Sequence, residues 1–217
     1  MFTGIVQELA TVVACDREPG LLRLHLGLSP ARCEGLVGGA SVAVNGICLT
    51  VARQDATGVG FDVIEETLET SSLGELAVGD PVNVERSATF ADEIGGHRVS
   101  GHVSGCTRVL EVRRSENNRV LRMALDPDWG RLLFHKGFVA LDGASLTISA
   151  LDREAGWFEV SLIPETLERT TFGVRESGDR INVEADSETQ AVVETVERVL
   201  ADPEWRARIG AAVQSPD

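Results

Sequence analysis

A chain of 217 residues with 34 acidic and 20 basic side chains carries a net charge of −14, the wrong sign for following a phosphate backbone, and nucleic acid is not an expected partner. Cys15, Cys33, Cys48 and Cys106 form no Cys-x-x-Cys pair, and the four histidines lack zinc-ligand spacing, so a structural metal site is set aside. No signal peptide is read at the start and no apolar run approaches the ~20 residues that span a bilayer; reduced thiols in a cytoplasmic protein, without a membrane, are the expectation.

In chain order, residues 40–44, 48–52, 58–63 and 81–84 are short β-branched and apolar runs separated by Gly, Asp, Asn and Ser, the pattern of a small all-β domain. Asn45-Gly46 supplies the positive φ angles of a tight hairpin, which presents Cys48 just after its turn. Residues 66–73 lack strand alternation and read as a short helix or turn closed by Gly74. The chain then repeats itself. Val44-Asn45-Gly46-Ile47-Cys48-Leu49-Thr50-Val51 returns as Leu141-Asp142-Gly143-Ala144-Ser145-Leu146-Thr147-Ile148, an offset of 141 − 44 = 97. Gly4-Ile5-Val6 returns as Gly101-His102-Val103 at the same offset. Val82-Asn83-Val84-Glu85 returns as Ile181-Asn182-Val183-Glu184 at 99, after a two-residue insertion. A period near one hundred is the size of a domain, not of a solenoid unit. The expected division is residues 1–97, 98–186 and a tail at 187–217.

In the tail, Ser187 with Gln190 reads as a capping box, and Val192, Val196, Val199 and Leu200 recur at helical spacing. Asp202-Pro203-Glu204 opens a last short helix through Trp205 and Ile209. A striped helix outside two barrels must bury its stripe, on its own barrels or on another subunit, and a subunit contact is expected.

Two copies of one small barrel imply two pockets for molecules of similar shape, and the differences between the copies mark the chemistry. Ile5 corresponds to His102 and Cys48 to Ser145, while Thr50 and Thr147 agree. Each pocket draws on its own half. One then carries an imidazole and a hydroxyl, and the other a thiol and an aliphatic side chain, as a reaction between two copies of one molecule requires.

The opening Met1-Phe2-Thr3-Gly4-Ile5-Val6, the stretch from Asp92 through Gly95-Gly96-His97-Arg98-Val99-Ser100-Gly101-His102-Val103, and Ile163-Pro164-Glu165-Thr166-Leu167-Glu168-Arg169 closely resemble the riboflavin synthase alpha-chain family. So does Gln190 through Arg198. The resemblance implies an all-β chain of two tandem homologous six-stranded Greek-key β-barrels plus a C-terminal α-helix. It implies a homotrimer joined through that helix, with an inter-subunit active site and no cofactor or metal. The implied reaction is the last step of riboflavin biosynthesis. A four-carbon unit passes between two molecules of 6,7-dimethyl-8-ribityllumazine, giving riboflavin and 5-amino-6-ribitylamino-2,4(1H,3H)-pyrimidinedione.

By motif position the first pocket takes Gly4, Ile5, Val6, Cys48, Leu49, Thr50, Asp62, Val63, Ile64, Glu65, Glu66 and Thr67. The second takes Gly101, His102, Val103, Ser145, Leu146, Thr147, Ser161, Leu162, Ile163, Pro164, Glu165 and Thr166, with Lys136 nearby. The lumazine 7-methyl group is acidic because its carbanion delocalises into the ring, and histidine suits its removal, which makes His102 the candidate base beside Ser145 and Thr147. The partner lumazine needs addition at C7 by a thiolate, hydroxyl or water, for which Cys48 with Thr50 is the candidate. Phe2 completes the catalytic set by shaping the joint between the barrels. The alternative is a non-catalytic lumazine- or flavin-binding protein of the same fold.

Overall fold

The computed structural model describes residues 1–213, with side chains through residue 209. Strands β1 (Glu8–Glu18), β2 (Leu21–Gly27), β3 (Ser41–Val44), β4 (Ile47–Asp55), β5 (Gly58–Ile64) and β6 (Pro81–Arg86) close one antiparallel barrel in the order β1-β2-β5-β4-β3-β6. Strands β7 (Gly105–Arg114), β8 (Arg119–Ala124), β9 (Phe138–Leu141), β10 (Ala144–Asp152), β11 (Trp157–Leu162) and β12 (Arg180–Ala185) close a second in the equivalent order. Register slips by one residue at four places, between Val12 and Ala14, Val51 and Arg53, Val109 and Glu111, and Ile148 and Ala150. The last two repeat the first two at the 97-residue offset. Each extra residue bends its strand, which lets a six-stranded sheet curl onto itself.

Each barrel has its own core. In β5, Val59, Phe61 and Val63 occupy alternate positions at 1% exposure or less, and in β11 Phe158, Val160 and Leu162 do the same. Full burial of such side chains contributes about 1.5–3 kcal/mol each. Helices α1 (Pro30–Cys33), α2 (Glu65–Thr70), α3 (Pro127–Gly130) and α4 (Pro164–Arg169) are single turns at barrel ends. A 3-10 turn follows α2 at Ser72–Glu75 and another follows α4 at Thr171–Gly173, within the two segments predicted as helix or turn.

The hairpin turns meet tip to tip at the joint. Asn45 and Gly46 have φ of 45° and 79°, Asp142 and Gly143 of 41° and 82°. A Cβ on Gly46 would lie 2.6 Å from the Gly143 amide nitrogen, so only glycine lets the turns approach this closely. Two asparagines lace the barrels together. The Asn83 side chain donates to the Asp142 carbonyl (2.9 Å) and accepts from the Thr171 amide (2.8 Å), while Asn182 donates to the Asn45 carbonyl (2.9 Å) and accepts from the Ser72 amide (2.7 Å).

The tail forms α5 (Ser187–Ala201) and α6 (Pro203–Val213), and residues 214–217 of the predicted tail lie outside the described residues. The cap of α5 differs from expectation. Asp186, not Ser187, is the N-cap, accepting from the Thr189 amide (3.0 Å) and hydroxyl (2.7 Å), because Ser187 is already helical. Gln190 bonds Glu194 instead (2.8 Å). Asp202 caps α6 as predicted, accepting from the Glu204 amide at 2.8 Å. Within the single chain the stripe is open: Val192, Val196, Leu200, Trp205 and Ile209 are 41–63% exposed.

Candidate functional site

Two extended segments, one before β1 and one before β7, pair with each other through Phe2 and Val99, whose amides donate to each other's carbonyls (2.7 and 3.1 Å). A buried glutamate on the last strand of each barrel clamps that barrel's own segment. Glu85 accepts from the Thr3 amide (2.6 Å), the Thr3 hydroxyl (2.8 Å) and the Gly4 amide (3.1 Å). Glu184 does the same with the Ser100 amide (2.6 Å), the Ser100 hydroxyl (2.8 Å) and the Gly101 amide (2.9 Å). Burial pushes both carboxyls above their usual range, against the downward pull of those donors. Three converging donors suit an acceptor-only carboxylate.

Past its clamp each segment crosses to the other barrel. The Cys48 amide donates to the Gly101 carbonyl (2.9 Å), and the Ser145 amide donates to the Gly4 carbonyl (2.8 Å). Val103 packs on the first core and Val6 on the second. This corrects the grouping by halves. Residues 4–6 close over Ser145 and Leu146, and residues 101–103 close over Cys48, because each clamp lies at the joint and directs its segment over the neighbour's hairpin. The segment that carries His102 therefore lies over the Cys48 hairpin, while Ile5 and Ser145 line one cavity together.

The pocket on the second barrel is a cavity of about 170 Å³ lined by Gly4, Ile5, Val6, Ala144, Ser145, Leu146, Glu165, Thr166, Arg169 and Thr170. Glu165 ion-pairs with Arg169 one turn along α4. Glu66 has no such arginine, since Thr70 stands there and donates its hydroxyl to the Glu66 carbonyl (2.9 Å). On the first barrel Cys48 is half-buried, while His102 is exposed, its amide donating to the Ser100 hydroxyl oxygen (3.0 Å), and lines a cavity of about 230 Å³ with Met1, Arg98, Val99, Ser100 and Ser187. Thr50 and Thr147 stand exposed on β4 and β10. Ile64, Glu65, Glu66 and Thr67 form the corner where β5 meets α2, and Ile163 and Pro164 the matching corner at α4.

Other predicted residues change role. Leu49, Val63 and Leu162 point into the barrel cores and offer a ligand only backbone. Phe2, 1% exposed, packs with Ala43, Val99, Ala140 and Cys48 at the joint, so it positions the site and touches no reacting atom. Asp62 faces outward to Arg53 (3.4 Å). Lys136 is exposed, its amide donating to the Ile148 carbonyl (2.9 Å), and neither it nor Thr147, Ser161, Leu162, Ile163 or Pro164 lines the cavity. Another cleft, of about 620 Å³, runs along β7 and past the end of β8 and includes only Val103 of the predicted set. Sequence reasoning missed the glutamate clamps, whose signal was a charged residue repeated within an apolar strand pattern at Glu85 and Glu184. It also left His97 without a role; its Nδ1 lies 2.6 Å from the Ser145 hydroxyl. Among the described residues no three His, Cys, Asp or Glu side chains cluster as metal ligands, and no helix is long and apolar enough to cross a membrane.

Comparison with known proteins matches this architecture. The lumazine binding domain family model fits twice, at residues 3–87 and 100–186. The riboflavin synthase of Escherichia coli K12 is 48% identical over 202 residues, covering 93% of this chain and 94% of the relative. That of Mycobacterium bovis is 41% identical, covering 92% and 98%. Among solved structures, LumP complexed with 6,7-dimethyl-8-(1'-D-ribityl) lumazine superposes with a TM-score of 0.77 at 24% identity, covering 85% of this chain and 98% of that one. LumP complexed with riboflavin gives 0.79 at 24% identity, covering 86% and 100%. At that identity the likeness speaks to the fold. The chain, with both lumazine-binding repeats and near full-length identity to these enzymes, belongs to the riboflavin synthase family.

Proposed function

We propose that this enzyme binds one 6,7-dimethyl-8-ribityllumazine on each barrel and passes a four-carbon unit between them, releasing riboflavin and 5-amino-6-ribitylamino-2,4(1H,3H)-pyrimidinedione. The observation that carries this reading is one backbone frame built twice with different side chains: the His102 segment laid over the Cys48 hairpin, and the Ile5 segment laid over Ser145. His102 removes the 7-methyl proton of one lumazine. With Cys48 on the same side as His102, Ser145 or water adds at C7 of the other, on the second barrel, with Thr50 and Thr147 exposed on the strands beside the hairpins. Backbone amides and carbonyls around Thr67 and Thr166 meet the pyrimidine edge, and Glu66 and Glu165 meet the ribityl hydroxyls. Much of the acceleration comes from holding two rings face to face, since orientation contributes on the order of 7–11 kcal/mol in favourable cases.

The reading includes a homotrimer in which the pocket on one chain's first barrel faces the pocket on another chain's second barrel. The open apolar stripe of α5 and α6 supports this, because a helix of this kind is covered in a stable assembly. Residues 1–97 and 98–186 are taken as the two lumazine-binding units and 187–217 as the assembly segment of a cytoplasmic enzyme. The test is riboflavin formation from the lumazine, followed by absorbance, in the wild type and in His102→Ala. A sharp fall in turnover with lumazine binding retained is the expected result; tight binding with no riboflavin from the wild type sinks the reading.

A further inference from the structure

We propose that His97 is a positioning residue, which fixes the Ser145 hydroxyl so that its O–H points into the pocket on the second barrel. The inference rests on the reading of that pocket as a lumazine site. His97 comes from the segment between the barrels, and among the described residues no histidine hydrogen-bonds Cys48 as His97 does Ser145.

The side chain is built in on every side. It is 7% exposed, its ring stacks on Phe138 with centroids 5.2 Å apart and planes 16° from parallel, and its Nδ1 lies 2.6 Å from the Ser145 hydroxyl oxygen. Gly96 makes the approach possible, because a Cβ there would fall 2.6 Å from the Ser145 Cβ and 2.5 Å from the Thr3 carbonyl oxygen. The Ser145 amide is already committed to the Gly4 carbonyl at 2.8 Å, so the hydroxyl is the free variable.

Burial lowers the His97 pKa, with Asp186 opposing, and keeps the imidazole neutral with a single N–H. The surroundings choose where that proton sits. Nε2 is buried and has no hydrogen-bond partner. A proton on Nε2 would leave a buried N–H without an acceptor, which folded proteins avoid more strictly than an unused lone pair. The proton therefore sits on Nδ1 and donates to the Ser145 oxygen. With its oxygen occupied from behind, Ser145 turns its own O–H forward, toward a ring oxygen or nitrogen of the lumazine. A donor fixed before the ligand arrives costs no reorganisation during the reaction.

Steady-state kinetics of the full chain on 6,7-dimethyl-8-ribityllumazine test this with Ser145→Ala, His97→Leu, His97→Asn and the double variant His97→Leu/Ser145→Ala. Loss of an oriented donor is expected to cut kcat by about 10- to 100-fold in S145A and in H97L, with a smaller change in KM. H97N keeps an N–H near the Nδ1 position and is expected to stay within about threefold of wild type, since it restores the donor. The double variant is expected to be no slower than S145A. Multiplied losses in the double variant, or an H97N as slow as H97L, overturn the positioning role and assign His97 to packing alone. A folded S145A with wild-type kcat and KM overturns the reading of the pocket itself, and the role of His97 with it.

Discussion

The two hairpin tips at the barrel joint share a backbone and differ in chemistry. In both, the turn residue caps the last strand of its barrel: Asn45 accepts from the Asn83 amide at 2.8 Å, and Asp142 from the Asn182 amide at 2.9 Å. The remaining atom of each side chain has a different fate. The second Asp142 oxygen takes Arg175 at 2.7 Å, whereas the Asn45 side-chain nitrogen is buried without a partner. Arg175 itself corresponds to Leu76, since 175 − 99 = 76, so the charge and its counter-charge are paired changes relative to the first half. The first half thus carries a neutral amide and a leucine at the positions where the second carries a buried carboxylate and an arginine. Burial pushes the Asp142 carboxyl up, and Arg175 opposes that push.

Mixing the two solutions gives the largest expected effect. Arg175→Leu places the first half's residue beside the second half's buried aspartate. Removing one partner of a buried pair costs about 3–5 kcal/mol. Adding Asp142→Asn copies the first half completely and is expected to recover most of that loss, because a neutral replacement of a buried pair is often nearly free. Urea unfolding of the single and double variants measures both. Equal destabilisation in the two would show that the repeats are not interchangeable at this joint.

The glutamate clamps sharpen the comparison, because each holds a segment that serves the opposite pocket. Glu85→Gln keeps the shape but sets an NH₂ against amide and hydroxyl donors, at a cost of about 1–3 kcal/mol. Its effect on ligand binding is expected at the second barrel, where residues 4–6 close over Ser145. Glu184→Gln is expected to weaken the pocket at Cys48. Titration of each variant with riboflavin, observed at nuclei near Cys48 and near Ser145, separates the two sites. A loss confined to the variant's own barrel would contradict the crossed arrangement.

That crossing is also where the sequence stopped being legible. The repeat revealed two barrels, their hairpins and the turns after β5 and β11, because those features are local and were written twice. It also identified residues 4–6 and 101–103 as pocket segments. Which pocket each serves was hidden, because an internal repeat looks the same whether a segment folds onto its own copy or onto its neighbour. The choice is made by long-range bonds from Glu85 and Glu184 and by the pairing of Phe2 with Val99, none of which leaves a periodic trace. The side chains at Leu49, Val63 and Leu162 follow the same logic: motif position marked them as ligand contacts, while strand alternation turned them inward. The α5 cap was misplaced by one residue because Asp186 and Ser187 are both good caps, and only the backbone decides which is first.

The smallest expected effect comes from His97, which stands beside Ser145 and so gives that pocket its own response to acid. Its pKa is lowered in the folded chain by burial, from an ordinary 6.5. As pH falls below about 6.5 the unfolded chain takes up a proton that the native site resists, so the contribution of His97 to stability is complete above 6.5 and is lost as pH falls through the native value. Glu85 and Glu184, raised by burial, act in the opposite sense: native protonation adds stability as pH falls through their raised values, and that gain disappears as pH rises again. A bare wild-type profile therefore mixes opposing slopes. Its difference from His97→Asn isolates the histidine, with a slope of at most about 1.4 kcal/mol per pH unit for one proton. Denaturant unfolding between pH 7.5 and 5.5 is expected to show the wild type losing stability relative to the variant. Parallel curves would mean that His97 takes up its proton equally in both states, and so is not held neutral against Ser145.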